Sequence, residues 1–252
     1  MGLKGAAIAS GLGQVFAFLI LVSHFVMKKG QLRITNYIPN FSLDGKIFNR
    51  GIPEFLTQLN TPVTALCYNW VLLNTLGDLE VAAFSILSFI YAFAYAILSG
   101  VAQGLQPLWG NAFGENNKDE LKQYFNSGIK INFVTSIVIV LLLIVFKAQS
   151  VSIFTKDSGL IEMTANALPI FVLSFIFMAL NLIYTAYFYS TKQTLKSDIV
   201  AINRGVILKV LLILSIPQIF GIAYIWHSVL FAEILTFLIC LICKRQEKFN
   251  QC

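Results

Sequence analysis

Residues 50–114 read RGIPEFLTQLNTPVTALCYNWVLLNTLGDLEVAAFSILSFIYAFAYAILSGVAQGLQPLWGNAFG. Two long apolar segments are separated only by a tight Leu76-Gly77-Asp78 turn. Segments of about 20 mainly apolar residues are long enough to cross hydrocarbon as helices, so this stretch predicts a helical hairpin through a bilayer. Its few interior polar residues are then the first candidates for function.

The rest of the chain agrees. Hydrophobic residues make up 57% of the 252 and charged residues 12%, and the mean hydropathy is +0.76, far from the make-up of a soluble domain. The short alternating runs of a membrane β-barrel are absent. The expectation is an all-α, polytopic transmembrane bundle of about seven helices. The net charge of +6 raises nucleic acid as a partner, but in a membrane chain basic residues mark the cytoplasmic loops, so none is expected. Cys67, Cys240, Cys243 and Cys252 do not form a disulfide framework; Cys240 and Cys243 make one C-x-x-C on an apolar helix without a second pair, which argues against a metal site. Gly2 to Met27 is too long for a signal-peptide core, so no cleavable leader is expected.

The predicted spans cover about 3–27, 53–73, 81–105, 129–146, 163–189, 199–220 and 223–243. Small residues open the first, where they permit close helix approach in lipid. Pro53 suits the first turn of the second, and Pro169 is expected to kink the fifth. Phe41, Leu43, Ile47 and Phe48 are placed in an interfacial helix of the 30–50 connector, and a polar loop is expected over 111–123. Arg33, Lys46, Arg50, Lys118, Lys122, Lys192, Lys196, Arg204, Lys244, Arg245 and Lys248 gather on one face with Lys28 and Lys29, against Lys4, Lys147 and Lys156 on the other. By the positive-inside rule the richer face, and the C-terminus, are cytoplasmic, and the plasma membrane is the expected location. Gln14 follows Gly2 by the same offset as Glu233 follows Gly221, a weak repeat between first and last spans that fits duplicated transporter halves.

Glu54, Gln58, Thr61 and Ala65 recur at helical spacing, with Asn69 continuing their face. Such a stripe either bonds a neighbouring helix or lines a wet pathway, and both readings stand. Gly100, Gly104 and Pro107, with Gln103 and Gln106 between them, mark either a hinge or close packing. Asn181 and Tyr184 are cavity candidates, while Tyr187 and Tyr189 read as interface anchors. Glu233 is the one carboxylate deep in a span and the candidate ion-coupling residue; His227 is its nearest expected partner. His24 and His227 read as packed or interfacial. Nothing resembles a nucleophile with its base, a phosphate-binding glycine loop or an acidic metal motif, so an enzyme is not expected and no cofactor is called for.

Gly51-Ile52-Pro53, Asn69, Leu76-Gly77, Val81 to Phe84, and Gly100-x3-Gly104-x-Gln106-Pro107-x2-Gly110-x3-Gly114 resemble the opening of the C-terminal half of multidrug and toxic compound extrusion (MATE) transporters. Phe154-Thr155, Pro169, Arg204 and the Trp226 to Glu233 segment continue the resemblance. It implies a half-transporter lacking the first five of twelve helices: residues 1–29 as the last helix of the N-terminal half, 30–50 as cytoplasmic connector, 51–244 as a six-helix bundle and 245–252 as cytoplasmic tail. It further implies export of cationic or amphipathic compounds by antiport with Na+ or H+, rocking between outward-open and inward-open states, with Gln58, Thr61, Asn69, Asn181 and Tyr184 lining the cavity and Pro53, Gly100, Gly104 and Pro107 at bends. The expected partner is a chain supplying the missing helices or a second copy, besides substrates and lipid. Thr61 and Met178 stand where the sodium-coupled branch carries carboxylates, so that sodium site does not carry over, and Ser190-Thr191-Lys192 replaces the usual glycine. The alternatives are a lipid-linked oligosaccharide flippase, disfavoured because no Lys or Arg is expected at mid-membrane, and a non-transporting truncated or accessory subunit.

Overall fold

The computed structural model describes residues 2–27 and 58–249, together with 45, 47, 48, 51, 52 and 55; Pro53, Glu54 and most of the connector lie outside the described residues. The chain divides into two compact units, Met1–Ile47 and Phe48–Cys252. The first contains helix α1 (Gly2–Val26), which runs without a charged side chain after Lys4.

The second unit is a helical bundle: α2 (Asn60–Thr75), α3 (Asp78–Gly114), α4 (Lys118–Val145), a short α5 (Lys147–Ser152), α6 (Ser158–Ser190), α7 (Thr194–Ile202), a π-helical turn (Asn203–Ile207), α8 (Leu208–Phe220), a 3-10 turn (Ile222–Trp226) and α9 (His227–Phe249). No strand occurs among the described residues. Among them, five helices are long and apolar enough to span a membrane: Asp78–Gly114, Lys118–Val145, Ser158–Ser190, Thr194–Phe220 and Ile222–Arg245. The fold is all-α and membrane-integral, in agreement with the sequence.

The hairpin forms as expected. Gly77 sits between α2 and α3 at φ 131°, a backbone region that glycine enters without the steric cost a Cβ imposes. Beyond it the polar loop expected over 111–123 is nearly all helix. α3 continues through Pro107 to Gly114, and α4 begins at Lys118. At about 1.5 Å per residue α3 is about 55 Å long, well over the roughly 30 Å of hydrocarbon, so its polar end projects as helix instead of unwinding. Asn117 caps α4, its Oδ1 accepting from the Glu120 amide at 3.2 Å, and Asp119 and Glu120 in the first turn complement the helix dipole. Asp157 caps α6 in the same way through Leu160, and α6 runs past Pro169 to Ser190.

α6 is the centre of the unit, touching α3, α4, α5, α7 and α9. Leu168, Phe171, Val172, Phe175, Met178 and Ile183 are buried along it, with Ala165, Ala179 and Ala186 letting neighbours approach. Gly128 of α4 serves the same end: a Cβ there would lie 2.7 Å from Leu105 and 3.3 Å from the Trp109 ring. The Asn132 amide donates to the Ala179 carbonyl at 2.7 Å, joining α4 to α6. Across the bundle, Tyr68 of α2 stacks on Phe84 of α3 and donates to the Ile225 carbonyl at 3.0 Å.

Candidate functional site

Arg204 belongs by sequence with the loop cations, yet the structure buries it inside an apolar helix at 3% exposure. The π turn is the cause. The Leu208 amide donates to the Asn203 carbonyl, a bond spanning five residues that widens the turn. In a regular α-helix residues five apart point about 140° away from each other at about 100° per residue. The wider turn brings Arg204 and Lys209 toward one side, where both meet Glu233 of α9.

Glu233 is fully buried and its carboxylate is heavily engaged. Arg204 Nε donates to Oε2 at 3.2 Å and Oε1 at 3.3 Å. Lys209 Nζ lies 3.6 Å from Oε1, and Asn181 Nδ2 of α6 donates to Oε2 at 2.8 Å. The same Asn181 amide reaches the Glu233 backbone carbonyl at 2.9 Å, while its oxygen lies 3.6 Å from Cys240 Sγ. His227, the partner expected from sequence, does not take this role; its Nδ1 is buried without a hydrogen bond. Around the ions stand aromatic faces: Tyr95 lies 5.8 Å from Arg204 and Tyr91 5.2 Å from Lys209, geometry in which ring quadrupoles attract cations. Two cations in an apolar helix are tolerated because a carboxylate and these rings replace the water they leave.

Beside Lys209 opens a pocket reaching Thr61 and Thr64 of α2, Ser88 and Tyr91 of α3, and Phe171 of α6. A second pocket lies between α3, α6 and α7 and is lined by Gln103, Gln106 and Ser197.

The predicted residues are distributed over several surroundings. Asn181 and Glu233 come together directly. Thr61 rims the Lys209 pocket, and Gln58, one turn earlier, is exposed. Asn69 is half-buried with Oδ1 enclosed and unbonded. Tyr184 packs edge-on against Phe125 at 5.2 Å and Phe237 at 6.1 Å, within an aromatic cluster rather than on either pocket. Gly100, Gly104 and Pro107 are exposed on α3, and a Cβ on either glycine meets nothing within 4 Å. Pro53 is outside the described residues. The expectation that no Lys or Arg occupies the membrane interior is overturned by Arg204 and Lys209. Lys209 was missed although its signal is plain: between Arg204 and His227 it is the only charged residue in an apolar run. Among the described residues no three His, Cys, Asp or Glu gather as a metal site.

The MatE family model matches residues 53–215, covering α2 to most of α8. The chain belongs to the MatE family. Among similar relatives, the multidrug export protein MepA of Staphylococcus aureus (strain bovine RF122 / ET3-1) is 26% identical over 238 residues, which are 93% of this chain and 52% of that protein. MepA of Staphylococcus saprophyticus is 28% identical over 240 residues, 92% of this chain and 51% of that protein. The chain spans about half the length of the curated relatives it matches. A MATE protein solved in complex with MaL6 superposes with a TM-score of 0.86 at 22% identity, over 98% of this chain and 56% of that one. An outward-facing multidrug resistance MATE family transporter of the MOP superfamily gives 0.85 at 22% identity, with the same two coverages. These MATE relatives are export proteins and transporters, not enzymes.

Proposed function

We propose that this chain is the C-terminal half, with one preceding helix, of a secondary active exporter of cationic or amphipathic compounds, driven by antiport of Na+ or H+. In this reading residues 1–29 end the preceding half, 30–50 connect, 51–244 form the moving bundle and 245–252 are a cytoplasmic tail in the plasma membrane. The similarity to MepA across nearly the whole chain supports export. The observation that carries the mechanism is Glu233, a fully buried carboxylate tied to Arg204, Lys209 and Asn181.

An ion entering from either side must take Glu233 from Arg204 or Lys209. Binding and re-pairing of the helix carrying the two cations against α9 are then a single event, which is what coupling requires: a ligand moves a conformational equilibrium only through contacts that differ between the states. Glu233→Gln keeps the shape and removes the charge. In proteoliposomes containing the complete transporting assembly, dye efflux driven by a sodium or proton gradient is expected to fall at least about tenfold, a change of about 1.4 kcal/mol in the barrier. Unchanged gradient-driven efflux would remove Glu233 from the coupling role.

One bundle supplies one wall of a rocking transporter, so export is proposed to need a second bundle, on another chain or a second copy. Cells producing this chain alone, shown to be monomeric, are expected to clear a dye no faster than controls. Clearance at the rate of a twelve-helix exporter would overturn that requirement.

A further inference from the structure

We propose that the end of the bundle where α6 begins carries a binding site for an organic ammonium group. A pocket there is bordered by Glu162, Met163, Asn166 and Ile170 of α6 and by Ala223 and Trp226 of the 3-10 turn. Among the described residues that line it, Glu162 is the one charged side chain. Glu162 is exposed and enters no hydrogen bond or ion pair among the described residues, so its carboxylate is open to a ligand. Asn166, four residues on, lies on the same face of α6 and adds a carboxamide oxygen that accepts. Trp226 is held across from them by the 3-10 turn that follows Gly221. One face of its indole stacks on buried Tyr68, with ring centroids 6.2 Å apart, and the half-buried ring gives the pocket what that contact leaves open.

A carboxylate and an indole on one pocket attract the same ligand, the first by its charge and the second through the quadrupole of its ring. Met163, Ile170 and Ala223 supply apolar contact for carbon substituents on the nitrogen, in the way of small-molecule sites that set a few polar groups among hydrophobic ones. A calcium ion is a poor match, since it takes about six or more oxygen ligands and this lining offers a carboxylate and a carboxamide among apolar side chains. An anion would meet Glu162 with no cation in the lining to offset it. The positive end of α6 does not reverse that preference: the Leu160 and Ile161 amides donate to the Asp157 side chain and carbonyl at 3.1 and 3.0 Å, and the charges of adjacent Lys156 and Asp157 cancel. α9 begins beside this pocket and runs away from it toward the basic tail, so the site lies at the end that the Lys and Arg distribution makes the outer one. Under the export reading it is a resting place for a cationic solute at the outer mouth. The assignment itself rests on the lining, and it is tested by binding without a gradient, so that either reading can fail while the other stands.

The test uses the purified full chain in dodecyl maltoside, an uncharged detergent, and two probes of one shape: choline and 3,3-dimethylbutan-1-ol, in which carbon replaces the nitrogen. Saturation-transfer NMR on the methyl signals, corrected for empty micelles, follows both. Choline is expected to bind saturably and at least about fivefold more tightly than the alcohol, from an exposed ion pair and a cation over a ring together. Glu162→Gln is expected to weaken choline about threefold and to leave the alcohol unchanged. Trp226→Leu is expected to weaken choline about threefold as well; should it fail to fold for want of the Tyr68 contact, exposed Glu162 still gives the reading. Glycerophosphocholine presents the same ammonium as a lipid headgroup does. If it displaces choline at similar concentrations the site takes headgroups, and if it does not the site takes free cations; either result supports the site. Equal binding of choline and the alcohol, choline binding undiminished in Glu162→Gln, or no saturable binding of choline would overturn the proposal.

Discussion

Glu233 sits where the cost of a wrong residue is greatest. Its neighbours Arg204 and Lys209 are held in an apolar helix only by what faces them, and removing the carboxylate leaves two buried cations without a counter-charge. Glu233→Ala is expected to destabilise the chain by about 3–5 kcal/mol, the usual effect of breaking a buried ion pair from one side. Replacing Arg204, Lys209 and Glu233 together by Met removes the charges as a set, and stability is expected to return to within about 1–2 kcal/mol of the original or to exceed it. Thermal denaturation of both variants in detergent checks the pair, and a triple variant as unstable as Glu233→Ala would show that the helices need the ions for more than neutrality. Asn181 contributes at a smaller scale: its amide bonds both the carboxylate and the carbonyl of Glu233, and Asn181→Leu is expected to cost about 1.5–3 kcal/mol, the range for a bond to a charged group.

Among the elements, two glycines and one π turn set local geometry. Gly77 joins α2 to α3 at φ 131°, so Gly77→Ala is expected to lower stability by about 1–3 kcal/mol. Gly128 is a packing position. The Leu105 methyl near its imagined Cβ is the mobile end of a side chain, so Gly128→Ala is expected to cost about 1 kcal/mol while Gly128→Leu, which must displace the Trp109 ring as well, costs about 3 kcal/mol. The contrast between the two substitutions, read as midpoints of thermal unfolding, is the check. The turn at Gly77 was visible in the sequence because it is a local requirement of the backbone, whereas the caps at Asn117 and Asp157 emerged only with the structure. The π turn was not visible either: Asn203-Arg-Gly-Val-Ile207 has no composition that sets it apart from an ordinary helical turn, and the residue with which it lets Arg204 pair lies 29 positions away.

For the whole molecule, the bundle matches solved MATE transporters over 98% of this chain, and the distribution of Lys and Arg supports a cytoplasmic C-terminus. α4 runs between Lys118 and Val145, about 42 Å at 1.5 Å per residue, so its two ends emerge on opposite faces of a bilayer. In a background without natural cysteines, Lys118→Cys is expected to react with an impermeant maleimide only from the cytoplasmic side and Lys147→Cys only from the outside. The reverse pattern would invert the orientation.

Hydropathy alone determined that the chain is helical and membrane-integral, since a backbone in hydrocarbon must bond within itself and an apolar run of sufficient length has one common solution. The Arg50–Gly114 stretch, with its turn and glycine spacing, also determined the family it resembles. Asn181 and Glu233 were each identifiable as polar residues in apolar helices. Only the tertiary structure decided that they touch, that Arg204 leaves the loops to join them, and that Lys209 stands between their cluster and a pocket lined by hydroxyls. Local sequence reports the cost of burying each charge; the charge that offsets it lies on another helix, and its position is settled only when the helices pack.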